Sequence, residues 1–82
     1  MIQISILTPD RSVYEGQVQS VTVPGSSGSF QILKDHAPII STLVDGKVII
    51  QTGNTEQSFL IKGGVVEVSD NKVILLAEGV SE

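Results

Sequence analysis

The residues best placed for chemistry are the serines at positions 26, 27 and 29 and the adjacent pair Asp35 and His36. A serine, a histidine and an aspartate can together carry nucleophilic acyl transfer, with the histidine as general base. Neighbouring side chains on an extended segment point to opposite faces, so Asp35 would not orient His36. The sequence also has no Gly-x-Ser-x-Gly elbow to expose a nucleophile. A catalytic triad is therefore disfavoured.

Phosphate, cofactor and metal chemistry are disfavoured by the same kind of reasoning. The stretch from Pro24 to Ser29 is rich in glycine and serine, but it lacks the Gly-Lys-Ser/Thr ending of a phosphate-binding loop, and no helix is predicted after it. The chain has no cysteine and one histidine, which makes a transition-metal site improbable. Its carboxylates fall at predicted turns and solvent-facing strand positions. We expect no catalytic, cofactor-binding or metal-binding residues, so the protein is not expected to be an enzyme.

Lys72 offers one alternative function. It follows the predicted turn Asp70-Asn71, and small β-sandwich carrier domains present a modifiable lysine at a hairpin tip. In those domains the lysine lies mid-chain between two similar halves, whereas Lys72 is near the end of this sequence and its halves differ. An ordinary surface lysine is the favoured interpretation. A lipoyl or biotinyl adduct on Lys72 would support the carrier.

Size and charge limit the class of protein. With 82 residues and 8.7 kDa, the chain forms one small domain, and branched aliphatic residues suited to pleated sheets must supply its core. The formal net charge of −4 disfavours nucleic acid and anionic membranes as partners. No apolar run approaches the roughly 20 residues of a membrane span, so we expect a soluble intracellular domain without direct lipid insertion.

The candidate residues above are positioned by the secondary structure of the chain. Apolar and polar side chains alternate along most of its length, which predicts strands. Hairpin turns are predicted at Asp45-Gly46, Gly53-Asn54 and Asp70-Asn71. Gly63-Gly64 predicts a bulge or a corner where a strand changes sheets. No window has helical periodicity. The fold class is all-β: a two-layer antiparallel β-sandwich of about eight to ten short strands.

Two local expectations concern the first third of the chain. Gly16 is predicted to end the short extended piece that contains Tyr14. Val18 enters the next alternation out of phase with Val21, which predicts a bulge between them.

Charge is depleted in the middle of the sequence. Residues 16–44 carry only Lys34 and Asp35 as charged groups. Charge depletion is typical of the centre of a protein interface, but strands covered on both faces would also lack charges. The sequence leaves both interpretations open.

One composite pattern covers essentially the whole chain. Its pieces are Ile4-x-Ile6-x-Thr8-Pro9, Gly16-x-Val18-x-x-Val21, Pro24-Gly25-x-x-Gly28-x-Phe30-x-Ile32-Leu33, His36-Ala37-Pro38, Leu43, Gly46, Gly63-Gly64, Val68, Asn71 and Ile74-Leu75-Leu76-Ala77-Glu78. This pattern resembles the amino-terminal β-sandwich of the epsilon subunit of rotary ATP synthases, called delta in mitochondria. The resemblance implies that residues 1–82 form one such domain.

The resemblance also implies a function. In that family the sandwich is a non-catalytic rotor part of the central stalk that binds the gamma subunit and rests on the c-ring. It couples proton flow to ATP synthesis, and the alpha/beta catalytic assembly is only an indirect partner. The implied location is peripheral, on the cytoplasmic face of a bacterial cell membrane. Family positions facing the c-ring correspond to Ser26, Ser27, Gly28, Ser29 and Phe30. Positions facing gamma correspond to Thr8, His36, Ala37, Pro38 and Ile40.

Three differences from the family pattern bear on these expectations. Lys34-Asp35 stands where the family often has Pro-Gly, which puts the shape of that turn in question, and Gln31 stands where the family often has glycine. The helical hairpin that follows the sandwich in many members has no counterpart in these 82 residues, so we expect its inhibitory role to be missing. His36 either locks its turn or contacts a subunit, or does both, and Phe30 is expected to belong to the core.

Overall fold

The computed structural model describes residues 1–81, and every regular element in that range is a β-strand. The strands are β1 (Ile2–Leu7), β2 (Ser12–Val18), β3 (Ser20–Gly25), β4 (Gly28–Ile32), β5 (Ile39–Leu43), β6 (Gly46–Thr52), β7 (Thr55–Ser69) and β8 (Lys72–Ser81). They form one hydrogen-bonded sheet in the order β2-β1-β8-β7-β5-β3-β4, with β6 pairing β3 and β7. The predicted all-β class is confirmed.

The long strand β7 makes the sheet fold over into two layers. Its first half pairs with β6 and its second half with β5, and the partner changes at Gly63-Gly64. Both glycines have positive φ, 52° and 141°, which most side chains resist. A Cβ on Gly64 would overlap the Leu76 carbonyl oxygen. The predicted corner at this glycine pair is therefore confirmed.

The two layers enclose one aliphatic core. The first layer holds β2, β1, β8, the second half of β7 and β5, and the second layer holds the first half of β7, β6, β3 and β4. Ile2, Ile4 and Ile6 of β1 are completely buried between them. Tyr14 and Phe59 close one side of the core, with ring centroids 5.8 Å apart. The sandwich thus follows from the period-two alternation of branched residues.

The hairpin predicted at Asp45-Gly46 is wrong. β5 and β6 do not pair with each other: both run antiparallel to β7 in the same register, so they form one bent strand. Neither Asp45 nor Gly46 is among the residues with the positive φ that a two-residue turn of this type requires. Glycine is needed at position 46 for packing, because a Cβ there would lie 2.8 Å from the Cβ of Pro24.

Two expectations about the first third of the chain are corrected. Gly16 does not end a strand: it lies within β2 opposite Ile4. The predicted bulge between Val18 and Val21 is a corner at Gln19, since Val18 pairs with β1 whereas Val21 pairs with β4 and β6. The Gln19 N–H donates to the Gln51 carbonyl at 2.7 Å. This corner buries both valines, which explains why the alternation changes phase.

One strand pair departs from the antiparallel expectation. β1 and β8 are parallel, with Gln3 opposite Lys72 and Leu7 opposite Leu76. A parallel pair requires a long connection, and here the connection is nearly the whole domain. Alternation within each strand does not reveal which strands become neighbours, so this pairing could not be read from the sequence.

Candidate functional site

Ser26, Ser27, Gly28 and Ser29 form the tip of the β3–β4 hairpin, which we call the serine turn. Gly25 pairs with Gly28, which leaves Ser26 and Ser27 as the two residues of the turn. Every residue from Ser26 to Ser29 is exposed. The tip is also fixed to β5, because Ser26 N–H donates to the Thr42 carbonyl at 3.0 Å and the two hydroxyl oxygens lie 2.7 Å apart. This serine turn is therefore an anchored polar projection.

Phe30 lies half-buried beneath the serine turn and packs against the core. Its ring covers Gly25, where a Cβ would come within 2.9 Å of the aromatic carbon Cε1. Its centroid is 6.4 Å from that of the His36 ring. The expected core placement of Phe30 holds in part, and its contact with His36 joins the serine turn to the loop before β5.

The loop from Leu33 to Pro38 keeps a tight turn despite Lys34-Asp35. The His36 N–H donates to the Leu33 carbonyl at 3.1 Å, and Asp35 has a φ of 65°. A positive φ at the third turn position is the feature that Gly would otherwise supply. The turn is therefore closed without a Pro-Gly pair, with Asp35 in the left-handed conformation.

The hydrogen bonds of Asp35 and His36 in this loop disfavour an acyl-transfer site. The Asp35 carboxylate accepts a hydrogen bond from Asn71 Nδ2 at 3.3 Å, and His36 Nδ1 lies 2.7 Å from the Ala37 carbonyl oxygen. Asp35 thus pairs with Asn71 instead of orienting His36. The half-buried His36 ring lies against its own loop, which supports its predicted role in locking the turn. Ala37 and Pro38 are exposed beside it.

Thr8 lies where β1 turns into β2, and its hydroxyl donates to Asp10 Oδ1 at 2.7 Å. That hydrogen bond, assisted by a backbone hydrogen bond and by the nearby Arg11 charge, holds the pKa of the exposed Asp10 carboxyl below its usual 3.8. The Thr8 N–H donates to the Arg11 carbonyl at 2.9 Å and closes the turn. Thr8 also lines an open groove of 410 Å³ with Leu7, Pro9, Val65 and Leu76.

The outer face of the first layer connects Thr8 with Ile40. In one row across the strands, Thr42, Val65, Leu76 and Leu7 are successive Cα partners, and in the next row Ile40, Glu67, Ile74 and Ser5 are. Ile40 is 71% exposed and Leu76 51%. We call the five outward aliphatic residues of these rows the apolar face: Leu7, Ile40, Val65, Ile74 and Leu76.

The site residues predicted from the sequence overlap this surface only in part. They include Ile40 and Thr8 at its two ends, but none of the residues in the middle of the apolar face. The available signal was the run Ile74-Leu75-Leu76-Ala77, which is apolar on both faces of a strand and so indicates cover on both sides. Leu75 and Ala77 are buried in the core, whereas Ile74 and Leu76 point outward.

The sequence left open whether the charge-poor segment 16–44 is the centre of an interface or a set of covered strands, and the structure shows some of each. β3 is covered, with Val21 and Val23 completely buried. In contrast, β4 and β5 carry exposed uncharged residues at most positions. The segment thus contains both a covered strand and an exposed surface that lacks charges, which is the property expected of an interface centre.

Other chemistry finds little support among residues 1–81. They contain no cluster of three or more His, Cys, Asp or Glu side chains that could hold a metal ion. Within the same range no helix is long and apolar enough to cross a membrane. Lys72 is exposed at the first position of β8, opposite Ser69 and Gln3.

Comparison with known proteins distinguishes an ATP synthase subunit from a carrier domain. The family model described as "ATP synthase, Delta/Epsilon chain, beta-sandwich domain" matches residues 1–82. The chain belongs to this family. The family assignment predicted from the composite sequence pattern is confirmed, and it favours an ATP synthase subunit over a carrier domain.

Individual ATP synthase epsilon chains are also similar to this chain in sequence. The chain is 48% identical over 80 residues to the ATP synthase epsilon chain of Chlorobium limicola, covering 96% of this chain and 91% of that one. It is 38% identical to the epsilon chain of Caulobacter vibrioides, covering 94% and 90%. For the epsilon chain of Leptospira borgpetersenii, the identity is 39% and the match covers 94% of this chain and 61% of the relative.

Two solved structures share the delta/epsilon fold. A chain of the Euglena gracilis mitochondrial ATP synthase, in a structure described as OSCP/F1/c-ring in rotational state 1, superposes with a TM-score of 0.92 at 19% identity, covering 98% of this chain and 52% of that one. A chain of the Tetrahymena thermophila mitochondrial ATP synthase central stalk/c-ring superposes with a TM-score of 0.83 at 20% identity, covering 99% and 66%. At these identities the likeness establishes the fold.

Proposed function

We propose that this chain is a non-catalytic rotor subunit of a proton-transporting ATP synthase, located peripherally on the cytoplasmic face of a bacterial cell membrane. It would bind the gamma subunit through the apolar face and rest on the c-ring through the serine turn. Family membership supports this proposal, as do the structural matches, which come from assemblies described as containing a central stalk or a c-ring. Contact with the alpha/beta assembly is indirect in this proposal.

The observation that carries the gamma-binding part is the exposure of the apolar face. A sheet of a small soluble domain normally has one apolar side against the core and one polar side toward water. Here Ile40, Val65, Ile74 and Leu76 are 38% to 71% exposed on the side that faces away from the core. Exposed aliphatic side chains grouped on one face in this way support a protein interaction site there.

The serine turn supports the second contact. Its side chains are small, polar and exposed, and hydrogen bonds to Thr42 fix its position. A rigid projection with small side chains allows the polar loops of another protein to approach closely. Thr42 begins the row that continues through Val65 to Leu76, so the serine turn and the apolar face are adjacent. One rigid domain would therefore present two neighbouring contacts, as a torque-transmitting part requires.

The gamma contact can be tested with two aspartate variants and one control. We expect Ile40→Asp and Leu76→Asp each to weaken binding to the purified cognate gamma subunit by more than about 2 kcal/mol, because each places a charge in the apolar face. Both side chains are exposed, so the domain should still fold. Leu60→Asp is the control, since Leu60 is 57% exposed on β7 but belongs to the second layer. Binding is measured calorimetrically and folding by thermal melting.

The expected result is lost binding in the first two variants and unchanged binding in the third. If wild-type chain and gamma do not bind each other, the proposed function is wrong. If all three variants bind as wild type, gamma does not use the apolar face.

A further inference from the structure

One acidic residue lies within the apolar face. Glu67 on β7 is exposed, and its Cα partners on the two neighbouring strands are Ile40 and Ile74. Those isoleucines are 71% and 40% exposed. The next outward residue along β7 is Val65, which is also part of the apolar face. Glu67 is thus bordered on three sides by exposed aliphatic side chains.

A carboxylate in this position conflicts with simple hydrophobic docking. A partner that covers the isoleucines on both sides of Glu67 also removes water from the carboxylate, and an unpaired buried charge is costly. Lys72 of the same outer face is opposite Ser69, so it is a diagonal neighbour of Glu67 and not its direct partner, which is Ile74. A cation supplied by the covering protein would satisfy the carboxylate directly, at the centre of the contact.

The charges of the whole outer face favour a partner of opposite sign. Glu67, Glu78 and Lys72 alternate with buried residues on their strands and point outward, and the exposed Glu15 lies opposite Ser5 of the outward row. Two copies of this chain packed face to face would bring six acids against two lysines. A different protein with a basic, apolar surface fits better.

We propose that Glu67 is the specificity-determining residue of the gamma contact, and that it pairs with a lysine or arginine of gamma set in an apolar surface. This inference rests on the proposed function. The aliphatic residues supply the buried area and Glu67 selects the partner, because a neutral or acidic surface of similar shape would leave its carboxylate unpaired.

The test uses the full chain and purified cognate gamma, with dissociation rates measured at low and high salt. We expect Glu67→Gln to dissociate at least about 30-fold faster than wild type and Glu67→Lys faster still, because truncating one partner of a covered charge pair leaves the other charge unpaired. Glu56→Lys is the matched control: it makes the same charge change on the same strand, but Glu56 is exposed in the second layer opposite Gln51. It should dissociate like wild type.

A rescue experiment identifies the cation. Each lysine and arginine of gamma is changed to glutamate, and one such variant should bind Glu67→Lys more tightly than wild-type gamma does. Thermal melting verifies folding, and Glu67→Gln gives the answer if the lysine variant does not fold.

Three outcomes overturn the inference. If Glu67→Lys and Glu67→Gln bind gamma as wild type does, the inference fails while the proposed function stands. If wild-type chain forms dimers that Glu67→Lys disrupts without affecting gamma, the residue serves a second copy instead. If wild-type chain does not bind gamma at all, the inference fails together with the proposed function.

Discussion

Asp35 and Asn71 are joined by two reciprocal hydrogen bonds: the Asp35 N–H donates to Asn71 Oδ1 at 2.6 Å, and Asn71 Nδ2 donates to Asp35 Oδ1 at 3.3 Å. Both residues have positive φ, 65° and 61°. The Asn71 carbonyl also accepts the Gln3 N–H at 2.9 Å. Asn71 therefore links the loop before β5, the β7–β8 turn and the start of β1.

Replacing Asn71 should destabilise the domain. We expect Asn71→Ala to lower the free energy of unfolding by about 1 to 3 kcal/mol, because the Asp35 N–H loses its acceptor and alanine resists the positive φ. Asn71→Gly should cost less, since glycine accepts that φ. Asn54→Ala, in the exposed β6–β7 turn, should stay within about 0.5 kcal/mol of wild type. Urea denaturation measures all three, and equal losses for Asn54 and Asn71 would contradict this role.

Gly64→Ala should be more damaging than an ordinary glycine substitution. Its φ of 141° is unsuited to alanine, and the added methyl would overlap the Leu76 carbonyl of β8. We expect a loss of more than about 2 kcal/mol in unfolding free energy. Gly53→Ala is the control: its φ is 59°, but a Cβ there meets no atom within 4 Å, so the loss should be about 1 kcal/mol. Similar losses at both positions would exclude the overlap as the cause.

The Thr8 hydroxyl should control the titration of Asp10. Because the pKa of Asp10 is lowered in the folded protein, folding favours the carboxylate. Its contribution to stability is present above the usual pKa of 3.8 and is lost as the pH falls through the lowered pKa. Thr8→Ala should raise the pKa of Asp10 toward 3.8, whereas Thr8→Ser should keep it low. An NMR titration of the Asp10 carboxyl carbon decides, and an unchanged pKa in Thr8→Ala would refute the assignment.

Ser29→Trp tests the proposed c-ring contact. Ser29 is exposed, so we expect the unfolding free energy to change by less than about 0.5 kcal/mol. Proton-coupled ATP synthesis by the reconstituted enzyme should nonetheless weaken, because the indole pushes the serine turn away from the ring. Ser58→Trp is the control, at an exposed serine opposite Ile49 in the second layer. Full coupling with tryptophan at position 29 would remove the serine turn from the contact.

The sequence predicted those parts of the fold that depend on local chemistry. Gly53-Asn54 and Asp70-Asn71 form tight hairpin turns, with Thr52 opposite Thr55 and Ser69 opposite Lys72. Asp45-Gly46 carries the same turn signal and is nevertheless part of a bent strand. The difference is tertiary, because Gly46 is small to admit Pro24, which approaches from another strand. A two-residue signal shows that the backbone can form a hairpin turn, but contacts with other strands determine whether the turn forms.

The candidate site was predictable only where single residues carried the signal. The serine turn could be identified because nothing in it can fill a core, and Ile40 because the family resemblance includes it. Ile74 and Leu76 had a local signal in the run Ile74-Leu75-Leu76-Ala77, but their grouping with Val65 and Ile40 depends on which strands become neighbours, and alternation does not show that. Glu67 had no local signal, because its significance lies in the isoleucines on neighbouring strands.

The parallel pairing of β1 with β8 has a consequence for the order in which the domain folds. β1 can form a hairpin with β2 early, but its other edge has no partner until Lys72–Leu76 are available. Until then Ile2, Ile4 and Ile6 cannot be enclosed, although they end completely buried. Closing so long a loop is entropically slow. During synthesis the amino-terminal strand therefore keeps one edge unpaired until β8 has been made, and an unpaired strand edge is prone to aggregation.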